Sequence, residues 1–108
     1  MHKVKRISIG KGLYTTIDQV DWKKVRHLKL FASVETSSGD YRAYVNITVR
    51  GRETTRGLHR IILDCPSDMV VVHLDGDYLN NTRRNLVMCK RSAVKEIRSK
   101  IVAPKKVA

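Results

Sequence analysis

The stretch VVVHLDGDYLNNTRRNL, Val70 to Leu86, crowds His73, Asp75, Asp77, Asn80, Asn81 and Asn85 around Gly76 and Arg83-Arg84. This is the residue stock of a divalent-metal phosphodiesterase site. Such chemistry needs a histidine to take a proton from water. It also needs a carboxylate and an amide or imidazole to hold a Mg²⁺-like ion, which stabilises charge on the phosphoryl and leaving oxygens. The position that most wants the carboxylate, just before the histidine, is Val72. Asp64, Asp75 and Asp77 lie close enough in sequence to be considered as substitutes. Asp77 and Asn80 beside a glycine are, however, also what turn chemistry alone selects.

The elements that must position these residues are short. Val4 to Ile17 carries Ile7, Ile9, Leu13, Tyr14 and Ile17 around Gly10 and Gly12, which predicts two strands and a glycine-dependent turn. Asp18 to Leu28 predicts a short helix capped by Asp18 or Asp21. Leu30 to Glu35 and Tyr41 to Arg50 predict strands joined through Ser37-Ser38-Gly39-Asp40. In the second, Ala43, Val45 and Ile47 alternate with Arg42, Tyr44, Asn46 and Arg50, so one face enters the core. The other face is then solvated, or meets a nucleic acid with cations for phosphates and an amide and a ring for bases or sugars. Gly51 to Gly57 reads as a polar turn, and Leu58 to Leu63 as an apolar run too short to assign by periodicity. Pro66 breaks that run, Met69 to Leu74 is strongly β-forming, and Leu86 to Cys89 can pair back on it. Val94, Ile97 and Ile101 place one apolar face on a helix over about 92–101, ended by Pro104. The tail 103–108 is expected to be a flexible basic end.

A chain of 108 residues with 42% hydrophobic content is expected to form a single domain with one modest core. Lys+Arg 22 against Asp+Glu 10 gives a formal charge of +12 and a pI near 10.2. Such a surplus points to a polyanion partner, the bland alternative being solubility alone. Arg83, Arg84, Lys90, Arg91, Lys95, Arg98, Lys100, Lys105 and Lys106 face only Glu96 in the last quarter of the chain. A phosphate backbone is therefore expected against the final helix and its approach. No leader is evident and no run approaches the roughly 18 apolar residues of a membrane helix, so a cytoplasmic protein without a membrane partner is expected. Cys65 and Cys89 have no neighbours at zinc spacing and read as core side chains.

Leu58-His59-Arg60-Ile61-Ile62 followed by VVVHLDGDYLNNTRRNL resembles the HNH endonucleases, also called ββα-metal or His-Me finger proteins, and especially their phage homing type. The matching residues are His73, Gly76, Leu79, Asn81, Asn85 and Leu86, with Trp22 and Tyr41 to Ile47 in keeping with the sheet that precedes the finger. The resemblance implies an α+β fold spanning 1–108. A small N-terminal antiparallel sheet with a short helix (1–57) would precede a ββα finger (58–102) whose Leu58 run is a strand. It also implies that His73 is the general base and that Asn85 orients it. The two metal ligands fall at Val72 and about Val94, neither of which has a donor atom. Asp75 falls where the family often has an asparagine serving the loop, and Thr82 stands where an arginine usually follows. Arg60 could contact a phosphate or brace the site.

Three classes of function follow. The favoured expectation is a phage-encoded, catalytically inactive protein that binds double-stranded DNA with little sequence specificity in the host cytoplasm. Its contacts would be Arg42, Tyr44 and Arg60, together with Arg83, Arg84, Lys90, Arg91, Lys95 and Arg98, and it would need no cofactor. The second is a nicking enzyme using His73 with Mg²⁺ or Mn²⁺ on rearranged ligands. The third is a regulator or scaffold on a protein or RNA complex. Few exposed aromatics argue against a single-strand stacking platform.

Overall fold

The computed structural model describes residues 3–100, an α+β arrangement of three small sheets and a few short helices. Strands β1 (Val4–Gly10) and β2 (Leu13–Asp18) form an antiparallel ribbon. Gly10, Lys11 and Gly12 all take positive φ (87°, 57° and 73°), a turn that glycine at both flanks makes accessible. A helical turn, α1 (Trp22–Val25), leads to the second sheet. There β3 (Lys29–Val34), β4 (Tyr41–Val49) and β5 (Arg52–Gly57) pair antiparallel in that order. Asp18 and Asp21 do not cap the helical turn between them and α1, nor α1 itself; both carboxylates serve Arg83 instead.

Two expectations are corrected here. Residues 52–57 form strand β5, with the turn confined to Arg50 and Gly51, both left-handed at φ 51° and 78°. That geometry matches the twist of adjoining strands, and the β-branched pair Thr54-Thr55 carries the extended chain onward. Leu58–Leu63, a strand by resemblance, is helix α2. Leu58 and Ile62, four apart, both fall to 0% exposure on its inner face and sit in the core with Ile17, Val25, Ala43, Val45 and Leu86. Asp64 closes this helix in the left-handed conformation, and Pro66 follows.

The chain then forms the hairpin of β6 (Met69–His73) and β8 (Leu86–Lys90), with His73 opposite Leu86 and Val72 opposite Val87. Within its long connection, β7 (Asn80–Asn81) pairs parallel with β2 and ties the loop to the N-terminal ribbon. A tight turn at Arg91–Ala93 leads into α3 (Val94–Ser99), shorter than the helix expected over 92–101. Ile101, Pro104 and the basic tail lie outside the described residues. Cys65 and Cys89 are free and buried. Among the described residues, no helix is long and apolar enough to cross a membrane.

Candidate functional site: a cationic cleft beside His73

The loop after His73 is folded by its own acids. Asp75 accepts from the Asp77 N–H at 2.8 Å, from Asn85 Nδ2 at 2.9 Å and from Asn80 Nδ2 at 2.9 Å. Asp77 accepts from the Leu79 N–H at 3.0 Å. Burial works to raise the Asp75 carboxyl, but these bonds from Asn80, Asp77 and Asn85 outweigh it and hold it below its ordinary value. Asn85 returns a bond through Oδ1 to the Asp75 N–H at 2.9 Å and donates to the Asn80 carbonyl at 2.8 Å. It makes no bond to His73. The residue that orients the histidine is Asn81, whose Oδ1 lies 2.9 Å from His73 Nε2.

The proton positions in that contact follow from what lies behind it. Thr15 Oγ1 gives its single proton to the Leu79 carbonyl at 2.8 Å, so it must accept from Asn81 Nδ2, also at 2.8 Å. With its amide so placed, Asn81 can only accept from His73, which puts the proton on Nε2 and leaves the Nδ1 lone pair free. Burial lowers the His73 pKa, with Arg42 adding to the shift and the Asn81 bond, Asp75 and Asp77 opposing it. A second imidazole, His59 on α2, meets His73 edge to face at 5.1 Å between ring centroids. Burial, then the charges of His73, Arg42 and Arg60, push His59 down to about 3. Both rings are neutral near pH 7, and His73 has the protonation state a general base needs.

Between β6, α2 and α3 opens a cleft of about 600 Å³. Its apolar floor comes from Val70, Val71, Val72 and Val94, and its cations from Arg42, Arg60, Arg91, Lys95 and Arg98. A smaller hollow of about 470 Å³ holds His73, Leu74, Gly76 and Tyr78, with Arg42, Val71 and Arg98 common to both. No acid lines either space. Both positions where the resemblance puts metal ligands therefore face the cleft, and both carry only methyl groups. A hard divalent ion binds through oxygen ligands. Among the described residues, no three His, Cys, Asp or Glu side chains come together to hold one. The side chains at Val72 and Val94 offer a divalent metal no donor.

The other expected contact residues divide. Arg42 lies over the Tyr78 ring at 3.9 Å and enters the cleft. Tyr44 instead stacks on its cross-strand partner Phe31, with centroids 5.9 Å apart. Arg60 reaches the Met69 and Pro66 carbonyls at 2.9 and 2.7 Å, bracing α2 against β6 while its charge stays at the rim. Arg83 is committed inward. It grips buried Asp21 with Nε at 3.0 Å and Nη2 at 2.9 Å, and the Ile62 carbonyl at 3.0 Å. The hydrogen bond to Asp21 raises its pKa further. Arg84 and Lys90 are exposed but do not line the cleft. Sequence reasoning missed Thr15 and Tyr78 as partners of this site, and it gave Asn81 a part in shaping the loop but the orientation of His73 to Asn85. Asn81 at eight residues from the histidine was the only visible signal. No family model, curated protein or solved structure matches the chain significantly.

Proposed function

We propose that this chain is a catalytically silent, HNH-like ββα-finger protein that binds double-stranded DNA with little sequence specificity. One observation carries the reading: five cations and no acid surround a cleft whose floor is Val72 and Val94, where a metal-dependent nuclease would need donors. Valines remove the ion that would stabilise a leaving oxygen, while arginine and lysine keep the attraction for a phosphate backbone. His73 retains its base-like state through Asn81, but with valines at 72 and 94 no metal ion stands beside it to stabilise the leaving oxygen.

The experiment is a supercoiled-plasmid assay with Mg²⁺ or Mn²⁺, run beside a gel shift on the same DNA. The expected outcome is a retarded plasmid with no nicked circle. A nick that disappears in His73→Ala identifies a working enzyme and overturns the silent reading.

A further inference from the structure

Arg42, which lines the cleft, carries a donor without an acceptor. Arg42 Nε is buried, yet among the described residues nothing accepts its N–H. The cation–π contact with Tyr78, 3.9 Å from the guanidinium carbon to the ring centroid, holds Arg42 beside the cleft. Across the cleft, Arg91, Lys95 and Arg98 recur at four and three residues, so they share one side of α3 and its lead-in turn. Like charges gathered around an apolar floor repel one another, and no carboxylate lines the cleft to relieve them.

We propose that the cleft is a metal-free phosphate site, in which the Arg42 guanidinium and the cations of α3 each hold a tetrahedral phosphate oxyanion directly. The proposal rests on the nucleic-acid reading above and names what the surface grips. Carboxylates in a metal phosphodiesterase repel phosphate, and the ion between them makes binding possible. With valines at 72 and 94 the repulsion is gone and arginine supplies the positive charge, in the bidentate geometry that guanidinium offers phosphate oxygens. The space of about 600 Å³ exceeds what one phosphate needs. Its valine floor suits the C–H face of an attached sugar better than a hydrated ion. The phosphate can belong to the interior of a strand or to a 5′ end, since both present the same oxyanion.

The test follows the Arg42 Nε–H resonance by NMR in the full chain, with EDTA present throughout. Inorganic phosphate is titrated first, then short DNA duplexes carrying either a 5′-phosphate or a 5′-hydroxyl. The resonance is expected to move and saturate. Arg98→Gln, at an exposed position, should weaken binding on the order of tenfold, as loss of a charge-assisted contact does. Arg52→Gln on β5, outside the cleft, should leave binding unchanged. A stronger response to the 5′-phosphate assigns the site to chain ends, and an equal response assigns it to internal phosphodiesters; both support a metal-free site. A silent Arg42 resonance while gel shift still detects bound duplex overturns the proposal and spares the DNA-binding reading. Binding that appears only when Mg²⁺ replaces EDTA also overturns it. Absence of duplex binding under every condition removes both.

Discussion

His59 and His73 are two imidazoles in edge contact beside Arg42 and Arg60, and their neutrality has a cost that depends on pH. Gly57 makes the arrangement possible, because a Cβ there would lie 2.5 Å from His59 Cε1. Both side chains have folded-state pKa values below the unfolded 6.5, His59 at about 3. As pH falls below 6.5 the unfolded chain takes up protons that the folded chain refuses, so stability decreases from there toward the folded values. Within that window each histidine contributes a slope of at most about 1.4 kcal/mol per pH unit. Urea midpoints measured from pH 7.5 down to 4.5, above the main carboxylate range, should therefore fall steadily. His59→Phe keeps a ring against His73 and should remove the His59 share of the slope. A flat profile for the unaltered chain would show that the rings are not held neutral.

At the scale of elements, Asp18, Asp21 and Arg83 fasten three parts of the chain together. The Arg83 N–H reaches Asp18 Oδ2 at 2.9 Å, its guanidinium holds Asp21, and Nη2 meets the end of α2 at the Ile62 carbonyl. Asp21 is 3% exposed, so removing its partner strands a buried carboxylate. Fully enclosed pairs lose about 3–5 kcal/mol when broken this way. With the Arg83 side chain 48% exposed, Arg83→Gln should cost nearer 2 kcal/mol in chemical denaturation. Arg84→Gln on the open surface should stay within about 0.5 kcal/mol. Equal effects for the two variants would show that the Asp21 pair carries no stability. In sequence Arg83 and Arg84 are indistinguishable cations, because the partner that separates them stands 62 residues earlier. The same limit hid Asn81, whose role depends on Thr15 across a two-residue parallel pairing. Strand β4 was legible because Ala43 and Val45 recur at the period of a strand. Strand β5 was not, because R-E-T-T-R offers no apolar alternation and its pairing follows from the left-handed turn before it. Val72 and Val94 were singled out by the resemblance, and the fold brings both to one cleft.

For the whole molecule, a formal charge of +12 predicts attraction to any polyanion, so binding by itself does not locate the surface responsible. Salt dependence does. Each phosphate contact on B-DNA releases counterions and contributes about −0.9 to the slope of log K against log salt. Five cations line the cleft, and Arg60 already spends its guanidinium on two carbonyls. If Arg42, Arg91, Lys95 and Arg98 each meet one phosphate, the slope should lie near −3 to −4. Affinity for a short duplex should then fall roughly a hundredfold between 50 and 200 mM salt. Fluorescence anisotropy across that range measures the slope directly. A value near zero would mean that apolar or protein-like contacts dominate, which is the scaffold alternative. A value steeper than about −8 would mean that DNA spreads over the whole basic surface, with the cleft one contact among many. Only an intermediate slope that becomes shallower by about one contact in Arg98→Gln ties the charge of the molecule to the cleft beside His73.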